Sequence, residues 1–372
     1  MLDLIIPVYK NIPGLYRSLF SLGTDLGKEV YVTIVDDCSG DNYDEVVNFF
    51  QKFFPIRVIY LEENGGPGVA RQKGLDKATQ EYVAFLDCGD TYITPTKLRE
   101  CLHWAKNNPQ FYFLSWGHVE ERADGPENFT YADISAVHNR MHGKMYRTDF
   151  LKKYNITFCA ESSRANEDIG FNLCARLIAE SLSRKDNVPR IYQEDLPAVV
   201  WKHSGPSIVR AEDCAFYYRD QNMGMAINGE HVLKTLRANN VPEDIILQEI
   251  YEEMVHMYIF YFASLNARPE FVDKALAGAA RYYHNCFKDV GDKDPEFLKN
   301  LYWQILINFL NDPNEPIRAK FSTLDFPGFL NQLEEYCQIY YADTNNNVSC
   351  DQCDASTGEC DCDKNGFSYS VT

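Results

Sequence analysis

Long apolar runs, a basic leader and clustered basic residues are all missing from this sequence. No stretch approaches the about 20 apolar residues that a membrane-spanning helix needs, and the apolar run in the opening MLDLIIPVY is short and interrupted by Pro7. We therefore expect a soluble, cytoplasmic protein. Lys and Arg number 36 against 54 Asp and Glu, for a formal net charge of -18. This charge opposes non-specific attraction to a nucleic-acid backbone.

The twelve cysteines are distributed in two ways. Most are isolated in the globular part of the sequence, which is typical of small buried side chains in a reducing compartment. Cys350, Cys353, Cys360 and Cys362 instead lie in a polar tail with too few apolar residues for a core. Their C-x2-C and C-x-C spacing suits a structural Zn2+ ion, and disorder, an interaction tail and disulfides are the alternatives.

Hydrophobic periodicity divides the rest of the chain. In the first part, β-rich runs alternate with helical stretches, which predicts a mostly parallel α/β sheet flanked by helices. After residue 210 the pattern becomes long and helical. We predict an α/β domain at 1–210, a helical accessory domain for acceptor binding or oligomerisation at 211–341, and the tail at 342–372. The predicted strands are Leu2–Val8, Val30–Val35, Ile56–Leu61, Tyr82–Leu86 and Phe111–Trp116.

Polar clusters follow the second and third predicted strands, where open parallel sheets bind ligands. The acids Asp36 and Asp37 could accept hydrogen bonds from a nucleotide, or cap the next segment. In the glycine-rich turn that ends in Arg71, backbone N–H groups such as that of Gly66 could approach an anion, with Arg71 adding charge. Glycines that merely supply positive φ angles are the alternative for this turn.

Two further clusters are acidic. Asp87 and Asp90 follow a buried strand within a tight turn, and such carboxylates suit a hard divalent cation that also binds substrate phosphates. Solvated acids in an ordinary turn are the alternative. Glu167 and Asp168 begin a predicted helix, where acids complement the helix dipole. The functional interpretation is a base that faces the same cleft as the metal.

In their order and spacing, these motifs resemble the family-2 inverting glycosyltransferases of the GT-A fold. The resemblance implies a Rossmann-like GT-A domain that moves a sugar from a nucleotide sugar, expected to be a UDP-sugar, to a hydroxyl acceptor such as a glycan. The matching segments are IIPVYK (5–10), VDDCSGD (35–41), ENGGPGVARQKGLDKA (63–78), YVAFLDCGD (82–90), HGKMYRTDFL (142–151), NED (166–168) and KHSGPSIVR (202–210).

The resemblance also implies residues that bind the nucleotide sugar. Pro7 and Tyr9 would help form the base pocket, and Asp37 would contact the nucleobase. Arg71 would lie near the nucleotide or diphosphate, and Asp87 would contribute to the same site.

The resemblance also implies which residues bind the metal and which residue acts as the general base. Asp87 and Asp90 would hold Mn2+ or Mg2+, although Gly89 occupies the middle acidic position of the common Asp-x-Asp-Asp motif. His203 is a further candidate metal ligand, and a structural histidine is its alternative. Asp168 would be the general base. Its neighbour Glu167, and Lys144 and Arg147 on the floor of the cleft, match the family less specifically.

Two other functions stay open on the sequence. A virus-encoded enzyme that glycosylates hydroxymethylated DNA bases is one, although the acidic charge and the missing basic stripe disfavour nucleic acid. The other is a noncatalytic module that binds a nucleotide sugar or glycan, since a fold does not establish turnover.

Overall fold

The computed structural model describes most of the first 290 residues and one later helix. The described residues fall within two compact units, Met1–Leu324 and Asp325–Thr372. The predicted boundary after residue 210 and the tail at 342–372, with its four cysteines, lie outside the described residues, so the predicted domain division stays a prediction. The described residues are 1–121, 129–131, 140–162, 165–202, 215–267, 269–290, 300 and 326–340.

A nine-stranded sheet forms the centre of the first unit. The strand order is β3-β2-β1-β4-β8-β6-β9-β5, and β7 pairs with β6 at the side. The strands are β1 (Leu2–Val8), β2 (Val30–Asp36), β3 (Ile56–Tyr60), β4 (Tyr82–Phe85), β5 (Thr91–Tyr92), β6 (Phe113–Glu121), β7 (Phe129–Tyr131), β8 (Lys144–Arg147) and β9 (Ile191–Lys202).

The predicted α/β class is confirmed, and β1 to β4 are parallel as the alternating pattern indicates. Every residue of β1 is buried, which explains its continuous apolar sequence, since a parallel strand is covered on both faces. The other half of the sheet is mixed: β8 pairs antiparallel with β4 and β6, while β6 runs parallel to β9. The sequence analysis did not predict β8, because its residues KMYR form no apolar run, whereas the equally short β4 has the apolar sequence YVAF.

Helices flank the sheet and follow it along the chain. The C-terminal helical region predicted from the sequence is present, and none of the described helices combines the length and apolar character needed to cross a membrane. The helices are α1 (Ile12–Phe20), α2 (Asp44–Phe50), α3 (Gly66–Asp76), α4 (Lys97–Asn107), α5 (Thr148–Lys153), α6 (Glu167–Asp186), α7 (Ala215–Ala238), α8 (Glu243–Ala267), α9 (Val272–Tyr282) and α10 (Phe326–Tyr340).

The helical region packs directly against the α/β part through α7 and α6. A side chain on Gly224 of α7 would lie 2.5 Å from Cβ of Ala165, so the two segments approach closely. At the same crossing, the buried amide of Asn228 donates to the backbone carbonyl of Ala165 at 2.8 Å. The helical region therefore holds the start of α6.

Helix α8 buries carboxyl groups inside the helical region. Burial raises the pKa of Glu249 to about 7, with Glu252 adding to the rise and Arg176 opposing it. Between pH 4.5, the ordinary pKa, and pH 7, the unfolded chain loses this proton more readily than the folded chain. Stability therefore falls as the pH rises through this window and stays lower above it.

Replacing Glu249 by Gln is expected to raise the thermal midpoint at pH 8 and to change it little near pH 4. The gain at pH 8 is at most about 3–4 kcal/mol, because the pKa rises from 4.5 to about 7 on folding. Thermal unfolding at both pH values would measure it. Glu243→Gln, on the exposed first turn of the same helix, is the control, and equal midpoint shifts for the two variants would contradict the assignment.

Candidate active site

The glycine-rich turn closes against the end of β2. Asp37 accepts backbone hydrogen bonds from Gly65 at 2.8 Å and Gly66 at 2.9 Å, one to each carboxylate oxygen. Gly66 has a positive φ of 84°, as the turn interpretation of this segment expects. The carboxylate of Asp37 thus fixes the N-terminus of α3. The neighbouring Asp36 makes a different contact: its carboxylate accepts a hydrogen bond from the hydroxyl of Tyr43 at 2.7 Å.

A buried arginine joins two of the predicted functional clusters. Arg71 on α3 is 4% exposed. Its Nη2 donates to Oδ1 of Asp87 at 2.6 Å and its Nη1 to Oε1 of Glu167 at 2.8 Å. The turn after β4 and the start of α6 are therefore neighbours in space, although about 80 residues separate them in the sequence.

The two carboxylates on Arg71 differ in their electrostatics. Burial opposes ionisation of Asp87, but Arg71 outweighs it and the pKa lies below the ordinary value. For Glu167, burial and then the adjacent charge of Asp168 raise the pKa, and Arg71 only partly offsets them. One guanidinium thus pairs with both acids, and it keeps Asp87 ionised more effectively than Glu167.

Gly89 adopts a conformation that a side chain would strain. Its φ is +107°, a region that residues other than glycine rarely enter. The N–H of Gly89 donates to the hydroxyl of Ser18 at 2.9 Å, which holds the turn against α1. Glycine at the middle position of the acidic motif therefore suits the backbone conformation of this turn, which an acidic residue would strain.

Asp90 and His142 form a buried pair beside Asp87. Ligand atoms of Asp87, Asp90 and His142 all lie within 4.8 Å of one another. Burial raises the pKa of Asp90, with the charge of Asp87 adding to the rise and His142 opposing it. Oδ1 of Asp90 accepts from the backbone N–H of Lys202 at 2.9 Å, whereas its buried Oδ2 has no hydrogen-bond partner. Oxygen and imidazole donors that converge in this way fit a divalent transition metal.

Asp168 lies in the first turn of α6, next to Glu167. The carbonyl of Asp168 accepts from Nδ2 of Asn172 at 2.8 Å, and Asn172 in turn accepts from the hydroxyl of Tyr146 at 2.5 Å. The buried Lys144 also interacts with Asp168: burial lowers the pKa of Lys144 to about 7, and the charge of Asp168 opposes that shift. Asp168 is only partly buried, unlike its neighbour Glu167, which is 6% exposed.

Of the other residues predicted for the site, those that the structure describes lie outside the cluster formed by Arg71, the acids and His142. Pro7 is buried in β1 opposite Val35, and Tyr9, directly after that strand, is 48% exposed. Arg147 is an odd number of residues from Lys144 on the same strand, so it faces the other side, where it pairs with Asp149 at 2.5 Å. His203 lies outside the described residues.

His142 is a site residue that the sequence analysis missed. The histidine considered as a metal ligand was His203, because it follows the last matching motif. The available signal was the position of His142 directly before Gly143, in a segment that already matched the family. Gly143 has a φ of +65°, and a Cβ there would meet the carbonyl oxygen of Trp116 at 2.5 Å. This tight turn against β6 fixes the imidazole next to Asp90.

The protein is of the GT-A fold class. The features that define the class are a sheet that is parallel in one half and mixed in the other, the acidic turn after β4, and helix α6 with acids in its first turn. Within that class, residues 3–168 match the family described as "Glycosyl transferase family 2", which supports the predicted family-2 resemblance. The match ends at Asp168, so it includes Asp87, Asp90, His142 and Glu167.

Curated relatives have similar sequences. The chain is 33% identical over 108 residues to the putative teichuronic acid biosynthesis glycosyltransferase TuaG of Bacillus subtilis, covering 27% of this chain and 43% of that protein. It is 30% identical over 192 residues to the poly(ribitol-phosphate) beta-N-acetylglucosaminyltransferase TarS of Staphylococcus aureus, covering 49% of this chain and 33% of that protein. The chain thus matches less than half the length of each.

Solved structures agree on the fold. The crystal structure of residues 1–349 of Staphylococcus aureus TarS in complex with UDP-GlcNAc superimposes with a TM-score of 0.62 at 20% identity, covering 91% of each chain. The corresponding complex with UDP gives a TM-score of 0.59 at 21% identity, again over 91% of each chain. The fold similarity therefore extends beyond the family match into the helical region.

Proposed function

We propose that the chain is a metal-dependent inverting glycosyltransferase that moves a sugar from a nucleotide sugar, a UDP-sugar, to a hydroxyl of a glycan acceptor. The observation that carries the proposal is the contact of Arg71 with both Asp87 and Glu167, because it unites the acidic turn and the base-bearing helix in one cleft. The relatives named above, one of them solved with UDP-GlcNAc, support the donor class.

The cleft supplies a site for the diphosphate of the donor. Asp87 and Asp90 fit a divalent cation such as Mn2+, which when bound offsets the negative charge of the departing nucleoside diphosphate. Arg71 holds Asp87 in place and keeps it ionised. Tyr9, exposed after β1, and the end of β2 at Asp37 lie where the nucleoside of a donor would bind in such a sheet.

Asp168 supplies the base. Its carboxylate takes the proton from the acceptor hydroxyl as that oxygen attacks the anomeric carbon, and a single displacement inverts the configuration. Glu167 cannot serve equally well, because it is 6% exposed and engaged by Arg71. The Asn172 and Tyr146 contacts keep the first turn of α6 in register with β8.

Release of nucleoside diphosphate from a panel of nucleotide sugars tests the proposal. We expect release with a UDP-sugar and Mn2+, and a loss of about 100-fold or more when Asp87 becomes Asn, because the departing charge is then poorly stabilised. Asp76→Asn, an acid at the exposed end of α3, is the matched control and should retain activity.

The outcome separates the enzyme from a binding module. Binding of UDP and a UDP-sugar without release, at any metal concentration and with a panel of glycan acceptors present, would contradict the enzymatic proposal. Release that persists in chelator would contradict the metal dependence alone.

A further inference from the structure

The buried contacts around His142 identify a feature beyond the acidic turn. The His142 side chain is 9% exposed, and its Nε2 lies 3.2 Å from Oδ2 of Asp90. Nevertheless, neither ring nitrogen of His142 has a hydrogen-bond partner, and neither does Oδ2 of Asp90. The two side chains thus form an ion pair without the alignment of a hydrogen bond, and a buried polar group that lacks a hydrogen bond costs on the order of 1–3 kcal/mol. A cation shared by the imidazole and the carboxylate would satisfy both groups.

We propose that His142 is a protein ligand of the divalent metal, together with Asp87 and Asp90. This inference rests on the proposed function, because the metal is the one that serves the donor diphosphate. It assigns a nitrogen ligand from the segment before β8 to a site whose other ligands come from the turn after β4. Gly89 contributes no side chain to that turn, so the imidazole supplies a third protein donor.

The ring of His142 is already oriented for this role. Its ring centroid lies 5.1 Å from that of Trp201 and 5.1 Å from that of His118, with each pair of rings tilted by 38°. These contacts hold the imidazole in one orientation before any metal binds, which lowers the cost of ordering a ligand. His118 is more deeply buried, at 1% exposed, but it is not part of the group whose ligand atoms converge with Asp87 and Asp90.

A nitrogen ligand changes which metal the site prefers. Mg2+ favours oxygen ligands and a near-ideal octahedral arrangement, whereas imidazole suits first-row transition metals. We therefore expect Mn2+ and Co2+ to bind more tightly than Mg2+. Removing the imidazole should weaken Mn2+ binding by about 10- to 100-fold, since even outer contacts of metal ligands have effects of this size. The affinity for Mg2+ should change much less.

Pulsed electron paramagnetic resonance of the wild-type chain loaded with Mn2+ alone is the direct test. A histidine ligand gives nitrogen couplings that change on labelling histidine with 15N, and this measurement needs no substitution that could disturb folding. The couplings should disappear or weaken in His142→Asn and persist in the control His118→Asn. Mn2+ affinity, measured on the same samples by the free-ion signal, should fall only in His142→Asn.

Three results would overturn the proposal. The first is that the wild type binds Mn2+ but shows no histidine couplings. The second is that the couplings remain unchanged in His142→Asn, in which case they would come from His203 or His118. A Mn2+ affinity that is the same with and without the imidazole is the third. Nucleoside diphosphate release assayed on the same samples separates these failures from the proposed function, because release that needs Asp87 but not His142 leaves the enzyme assignment standing.

Discussion

Asp168→Asn is expected to lower kcat for sugar transfer by about 10²–10⁴, the usual contribution of a positioned general base. The amide cannot accept the acceptor proton, while the first turn of α6 and its contacts with Asn172 remain. UDP binding should therefore change little. Steady-state kinetics with a fixed donor, together with calorimetric measurement of UDP affinity, would separate the loss of chemistry from a loss of binding.

Glu180→Gln is the control for this substitution. Glu180 lies on the same helix about three turns further along, and its ion pairs with Arg176 and Arg184 are at the surface. It should retain nearly full activity. If Asp168→Asn kept wild-type kcat while Glu167→Gln abolished it, the base would be Glu167 and the assignment of Asp168 would be wrong.

Arg71→Met is expected to destabilise the fold and to abolish transfer. Removing one partner of a buried ion pair typically costs about 3–5 kcal/mol, and the low end applies here because Glu167 can take up a proton. Asp87 would also lose the charge that keeps it ionised and in place. Urea denaturation would measure the free energy of unfolding, and titration would measure the metal affinity. Both quantities should be lower than in the wild type.

Two further variants make the Arg71 prediction specific. Arg184→Met removes an arginine from α6 whose side chain is 50% exposed and pairs with Glu180 and Asp244, so it should cost less than about 1 kcal/mol. The double variant Arg71→Met with Glu167→Gln should recover part of the lost stability, because only Asp87, whose side chain is 36% exposed, is then left without its arginine partner. Equal losses for both arginines would show that Arg71 forms no special network.

Much of this site follows from local sequence. The apolar strands β1, β2 and β4 are each followed by polar residues, and parallel strands bring their carboxyl ends to one edge. The order of motifs from IIPVYK to NED was sufficient for the family resemblance, which the family match at residues 3–168 confirms. The positions of Asp87 after a strand and of Asp168 at the start of a helix could thus be predicted, because residue type and element ends are local properties, and their roles stay predictions.

What the sequence by itself determined was the α/β class, the family resemblance and the positions of the acidic clusters, because periodicity and short motifs encode these. Only the tertiary structure decided that Arg71 joins Asp87 to Glu167, that Asp37 is engaged by the glycine turn, and that His142 converges on Asp90. Each of these contacts joins residues that are far apart in the chain. Their distances depend on how β8 pairs and how α6 packs on α7, and no local pattern specifies such packing.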